Sequence, residues 1–175
     1  RVTAYNLASD FFGTFGSFGR GDGQFISPTS IAVDSQGQVY VSDENTHRIT
    51  VFDGDGTFLA GWGVHGDRPG ELDGPSGIDF DDDDNLWVRD KAANTVIQFD
   101  PDGYVMMNLG RREEGFHGIV ELPSPQEARA NGGYFNGPTD VAWDPDGNIF
   151  VSDGYVNSRM AKFDKHGNFL MDWGS

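Results

Sequence analysis

The chain has no cysteine among its 175 residues, which removes disulfides and thiol chemistry and leaves the compartment open. It is also short of positive charge, with 12 Lys and Arg against 28 Asp and Glu and a formal net charge of −16. Such a surface repels a polyanion, so nucleic acid is a poor partner. Long apolar runs are missing: none approaches the roughly 20 residues that a membrane-crossing helix requires, and no span is expected. No nucleophile motif is present, and no glycine-rich loop leads from a strand into a helix to cradle a phosphate. The chain opens on Arg1; nothing there reads as a signal peptide, and a start without Met is compatible with a processed chain.

What the chain does have is glycine and aromatics, 25 Gly with 14 Phe and 4 Trp, arranged as a repeat. Pro28 to Asp43, Pro75 to Asp90 and Pro138 to Asp153 are three copies of one segment, followed by Phe52, Phe99 and Phe163, by the turn glycines Gly56, Gly103 and Gly167, and by Trp62-Gly63, Leu109-Gly110 and Trp173-Gly174. Apolar residues fall in short runs separated by Gly, Asp and Asn, a strand pattern. In the third copy this predicts strands over Thr139 to Trp143, Asn148 to Ser152, Ser158 to Phe163 and Asn168 to Trp173, joined by Asp-led turns. Four short antiparallel strands per unit of about 40 to 50 residues is the pattern of a β-propeller blade.

The expected architecture is all-β: three complete four-stranded blades plus one extra N-terminal strand. Residues 1–16 read as the outer strand of a neighbouring blade, 17–63 as connector and first blade, 64–110 as the second blade, 111–137 as an insertion and 138–175 as the third blade. Within the insertion, Ser124-Pro125-Gln126-Glu127 reads as the start of a short helix. Three blades cannot close a ring, since propellers use about four to eight. The array is therefore expected to be part of a longer ring, or to be completed by a protein partner or other copies of the chain. The Asp-rich turns, including Asp81-Asp82-Asp83-Asp84-Asn85, are expected to gather at one face; consecutive carboxylates in one tight turn suit solvent better than calcium. Asp84 occupies a glycine position and is expected to be left-handed. Arg20-Gly21-Asp22, an adhesion-type tripeptide, reads as part of a glycine-rich connector whose Phe25 tucks beneath the next strand.

The aligned signature, Pro-x-x-Val/Ile-Ala-Val/Trp-Asp, then Val-Ser-Asp, Arg and Phe, then Asp-x-x-Gly, resembles NHL-repeat propellers. Phe135 to Gly174, with Ser152-Asp153-Gly154-Tyr155-Val156-Asn157-Ser158-Arg159, is similar to the peptidyl-alpha-hydroxyglycine alpha-amidating lyases and their bacterial relatives. The resemblance implies a six-bladed ring of which this chain covers three blades, zinc and calcium as cofactors, and a catalytic tyrosine matched by Tyr155. It implies zinc on histidines of Pro-His pairs, whose first position falls here on Pro75-Ser76. The family's arginine at the end of a second strand falls on Asp43-Glu44. An extracellular or periplasmic location is expected.

Blade geometry puts Thr29, Ser76 and Thr139 on one face with Asp43, Asp90 and Asp153. The candidate ligand contacts are Ser76, Asp140, Asp153, Asn157 and Arg159. Tyr155 is read either as a ligand contact or as an aromatic lid on the neighbouring blade. Arg159 and Arg48 are expected to brace Asp153 and Asp43. His47, His65, His117 and His166 each read as standing alone, with His117 the one ligand candidate, and no metal ligand is assigned. Two functions follow. One is a non-catalytic propeller that binds a protein or small ligand and self-assembles. The other is a metal-dependent amidating lyase whose metal ligands lie outside this chain. A sugar-lactone hydrolase would need more channel carboxylates than Asp140.

Overall fold

Asp-led turns set the strand pairing. At Asp34, Asp53, Asp81, Asp100, Asp144 and Asp164 the side-chain oxygen accepts the backbone N–H two residues on and again four residues on, at 2.8–3.1 Å. The residue three on is left-handed in every case, glycine at five of them and Asp84 (φ 60°) at the sixth. Each carboxylate thereby satisfies N–H groups that the tight reversal would strand. The chain leaves each turn antiparallel to its approach.

The computed structural model describes residues 1–5, 8, 11–66, 68, 70–110 and 134–174, with the backbone alone at 11 and 12. Its strands are β1 (Val2–Tyr5), β2 (Phe11–Phe15), β3 (Ser17–Phe18), β4 (Gln24–Phe25), β5 (Pro28–Val33), β6 (Val39–Asp43), β7 (Arg48–Phe52), β8 (Phe58–Trp62), β9 (Pro75–Phe80), β10 (Leu86–Asp90), β11 (Thr95–Phe99), β12 (Val105–Leu109), β13 (Pro138–Trp143), β14 (Ile149–Asp153), β15 (Arg159–Phe163) and β16 (Phe169–Gly174). They form three four-stranded antiparallel meanders, β5–β8, β9–β12 and β13–β16. The first strands β5, β9 and β13 lie side by side across the three sheets. No helix occurs among the described residues. The helix expected near 124–130, and His117, lie outside them.

Two details depart from the sequence reading. The N-terminal strand is not alone: β1 pairs antiparallel with β2, in register Val2↔Phe15 and Thr3↔Thr14, giving the outer half of a blade. The connector after it also carries structure, β3 and β4 pairing in parallel.

The cores are layers between neighbouring sheets. Trp62 meets Phe99 (4.7 Å between ring centroids), Tyr40 meets Phe80 (4.9 Å) and Trp87 meets Trp143 (5.5 Å) across successive blades. An apolar residue of each connector, Phe25, Leu72 or Phe135, is buried beneath the blade that follows, with Phe25 against Phe52 and Phe135 against Phe163. Each such burial contributes roughly 1.5–3 kcal/mol.

Candidate functional site

The first strand of every blade carries one irregularity, and it falls at the same residue. Pro28 pairs with Asp43 but Ser30 with Ser42, Pro75 with Asp90 but Gly77 with Arg89, and Pro138 with Asp153 but Asp140 with Ser152. Thr29, Ser76 and Thr139 are thus the extra residues of three equivalent bulges, a device that re-aims a side chain. In the outer two blades the hydroxyl meets a serine: Thr29 Oγ1 lies 3.2 Å from Ser42 Oγ, and Thr139 Oγ1 lies 2.6 Å from Ser152 Oγ. The middle blade has Arg89 at that serine position, and Arg89 Nη1 donates to Ser76 Oγ at 2.6 Å.

Arg89 is the chemically distinctive residue of this face. Its Nε donates to Pro138 O, as Thr29 Oγ1 donates to Pro75 O one blade earlier. The guanidinium carbon lies 5.9 Å from the centre of the Tyr155 ring. Arg89 is only 8% exposed, and its Nη2 is buried with no hydrogen-bond partner among the described residues. Burial pulls its pKa below the ordinary arginine value, while the charges of Tyr155, Glu44, Asp140 and Asp90 oppose that pull. An arginine remains protonated under such forces, so an unused cationic N–H sits under an exposed tyrosine.

Tyr155 is 70% exposed. Its β-carbon presses against Gly137, where an added side-chain carbon would come within 2.8 Å, so the ring leans from the third blade over Arg89 of the second. Ser76 is buried and bonded to Arg89. Asp140 is exposed on β13, its Oδ1 accepting from Val141 N at 3.0 Å.

Asp153, Asn157 and Arg159, expected as ligand contacts, are built into the frame. Asp153 is fully buried and accepts from Asn136 N (2.8 Å), Asn157 Nδ2 (2.5 Å) and Arg159 Nε (3.1 Å). Arg159 reaches on to Asp172 (3.0 Å) and to Tyr134 O (2.6 Å). The sister carboxylates do the same work: Asp43 accepts from Ile26 N and Ser27 N at 2.6 and 2.9 Å, and Asp90 from Asp73 N at 2.7 Å. Every blade thus clasps the connector that leads into it. The expected Arg48–Asp43 brace does not form. Arg48 donates instead to the carbonyls of Arg20, Gly21 and Gln24, because Asp43 already accepts four backbone N–H groups. Those bonds fix Arg20-Gly21-Asp22 as connector.

The histidines also need correction. His47, in the β6–β7 loop, and His65, in the connector after β8, come together with ring centroids 4.3 Å apart, beside Asp73. Sequence spacing hides this, since the three residues meet only when one blade's loop packs against the next blade's connector. In the structure His47 takes the left-handed loop position that Asn94 and Ser158 take in the other blades. A cleft of about 540 Å³ lies elsewhere, between the N-terminal strand pair and the first blade, bordered by Arg1, Phe18 and Ile26.

Residues 25–52 and 135–163 match the NHL repeat model. The chain thus carries NHL repeats on successive four-stranded antiparallel sheets of β-propeller type. Over 42 residues, 23% of this chain and 5% of the relative, the sequence is 57% identical to "Peptidyl-glycine alpha-amidating monooxygenase B" of Xenopus laevis. Over 37 residues, 21% of this chain and 11% of the relative, it is 57% identical to "Probable peptidyl-alpha-hydroxyglycine alpha-amidating lyase pgal-1" of Caenorhabditis elegans. In fold it is similar to the Kuenenia stuttgartiensis hydrazine synthase, with a TM-score of 0.65 at 16% identity, over 99% of this chain and 42% of that one.

Proposed function

We infer that this propeller is a non-catalytic binding module whose channel face holds a ligand, a peptide or small molecule, through a carbonyl or carboxylate oxygen. One observation carries this reading: the buried, unpartnered Nη2 of Arg89 beneath Tyr155. A desolvated cationic N–H without an acceptor is costly, and a ligand oxygen that reached it would gain about 1.5–3 kcal/mol. Tyr155 would cover the ligand with its ring.

The amidating-lyase reading rests on the sequence similarity and on Tyr155. It requires a metal, and the residues here do not fit one at the Pro-His position. Ser76 is not a usual zinc ligand; its hydroxyl is taken by Arg89, whose fixed positive charge 2.6 Å away opposes a dication. Zinc ligands for that lyase centre would have to come from outside this chain.

Arg89→Ser tests the binding reading, because serine is the residue of both sister blades and restores the hydroxyl pair that they use. Binding of N-acetylated peptides and small carboxylates, measured by calorimetry on the wild-type chain, is expected to weaken at least about tenfold in the variant. Amide and carboxylate probes separate the two oxygen types. Tyr155→Phe keeps the ring and is expected to leave binding unchanged; metal-dependent cleavage of an alpha-hydroxyglycine peptide that Tyr155→Phe abolishes would establish the lyase instead.

The two ends of the array support a reading with further blades. Ile31 and Val33 of β5 are exposed at one end of the array, and Leu170 and Trp173 of β16 at the other. At these edges, blades from a longer chain or from other copies would complete the ring.

A further inference from the structure

We propose that His47, His65 and Asp73 form a binding site for a divalent transition metal of the zinc type, at the junction of the first and second blades and apart from Arg89. One nitrogen from each histidine and one carboxylate oxygen all lie within 4.8 Å of one another. Asp73 Oδ1 stands 3.1 Å from His65 Nε2 and 3.7 Å from His47 Nδ1. Zinc bonds of about 2.0–2.2 Å at tetrahedral angles place neighbouring ligand atoms roughly 3.3–3.5 Å apart, and the two observed separations bracket that value. The remaining gap closes by rotation of His65, whose side chain is 65% exposed. Two imidazoles and one carboxylate leave a fourth position for water.

Comparison with the next junction distinguishes a ligand set from a packing device. His47 and Asn94 hold the same left-handed position, and each accepts the N–H of the glycine before the next blade, Gly74 to His47 Nδ1 at 3.2 Å and Gly137 to Asn94 Oδ1 at 2.8 Å. An amide therefore performs the clamp with the shorter bond, and the clamp alone does not call for imidazole. Asp73 likewise stands where the next connector has Asn136. The ligand-type residues gather at one junction of a repeated frame, and a second histidine joins them there. Metal taken up through His47 Nδ1 replaces the Gly74 bond with a stronger one and ties the β6–β7 loop to the connector of the following blade.

The test is titration of the chelator-treated, full-length chain with Zn²⁺, followed by calorimetry, and with Co²⁺, followed by its visible ligand-field absorption. One equivalent is expected at this site with a dissociation constant on the order of 1 μM. Asp73→Asn, which copies the next junction and so preserves the fold, and His65→Ala are each expected to weaken binding at least tenfold; His166→Ala is expected to leave it unchanged. Absence of uptake, or uptake that survives both Asp73→Asn and His65→Ala, overturns the proposal. Arg89→Ser is expected to leave metal uptake intact, so this result stands apart from the ligand reading.

Discussion

Asp84 holds a left-handed backbone where the five sister turns have glycine, and it bonds Ser35 of the neighbouring blade's turn through both carboxylate oxygens. Asp84→Ala keeps the backbone demand without the polar side chain, whereas Asp84→Gly relieves it. Urea unfolding is expected to find the alanine variant less stable than the glycine one by about 1–2 kcal/mol. A larger effect belongs to Asp153. Its carboxylate and the Arg159 guanidinium are almost completely buried, so Asp153→Ala leaves the buried cation with the carboxylate of Asp172 and strands the donors of Asn136 and Asn157. The expected loss is about 3–5 kcal/mol, a large share of a typical domain's 5–15 kcal/mol, measured by the same unfolding curves.

At the scale of the strand and its turn, Asp81 ties three strands of the second blade together. Besides its turn bonds it accepts from Trp87 Nε1 at 2.8 Å and Gln98 Nε2 at 3.0 Å. Burial raises its pKa, but the bonds from Trp87, Asn85 and Gln98 outweigh burial and hold it below the ordinary 3.8. A carboxyl with a depressed folded-state pKa stabilises above the unfolded value near 3.9 and loses that contribution as pH falls through the folded value. Asp81→Asn is therefore expected to be less stable than wild type by about 1 kcal/mol at pH 6, with the gap closing below pH 4. Denaturation series at the two pH values check this.

Turn chemistry of this kind made the fold legible in the sequence. Asp-x-x-Gly at fixed offsets marks the reversals, and alternating apolar runs mark the strands. The candidate site was half legible. Ser76 and Tyr155 stood out, and Val88-Arg89-Asp90 against Val41-Ser42-Asp43 and Val151-Ser152-Asp153 was visible once the copies were aligned. What the alignment does not contain is the bulge that turns Ser76 toward Arg89, or the burial that strands Nη2. The pairing of β1 with β2 was missed because Val2–Tyr5 is short and lies outside any repeat copy. The His47, His65 and Asp73 group was missed because it spans two copies.

For the molecule as a whole, apolar side chains at both ends of the array make association the expected state of the isolated chain. Light scattering is expected to report a mass above the monomer's 19.1 kDa, and Trp173→Glu on the exposed end is expected to shift it toward the monomer. A monomer at all concentrations would remove self-assembly and leave completion to a longer chain. The clasps of Asp43, Asp90 and Asp153 also say where such a protein can be divided. Since each acid fastens the linker upstream of its own sheet, the transferable cassette is linker plus sheet, and a splice placed just after the glycine ending a fourth strand keeps each of these carboxylates with its linker. Gene duplication or grafting at those joints lengthens the array without severing a buried carboxylate from its donors, whereas a joint between linker and sheet breaks one each time.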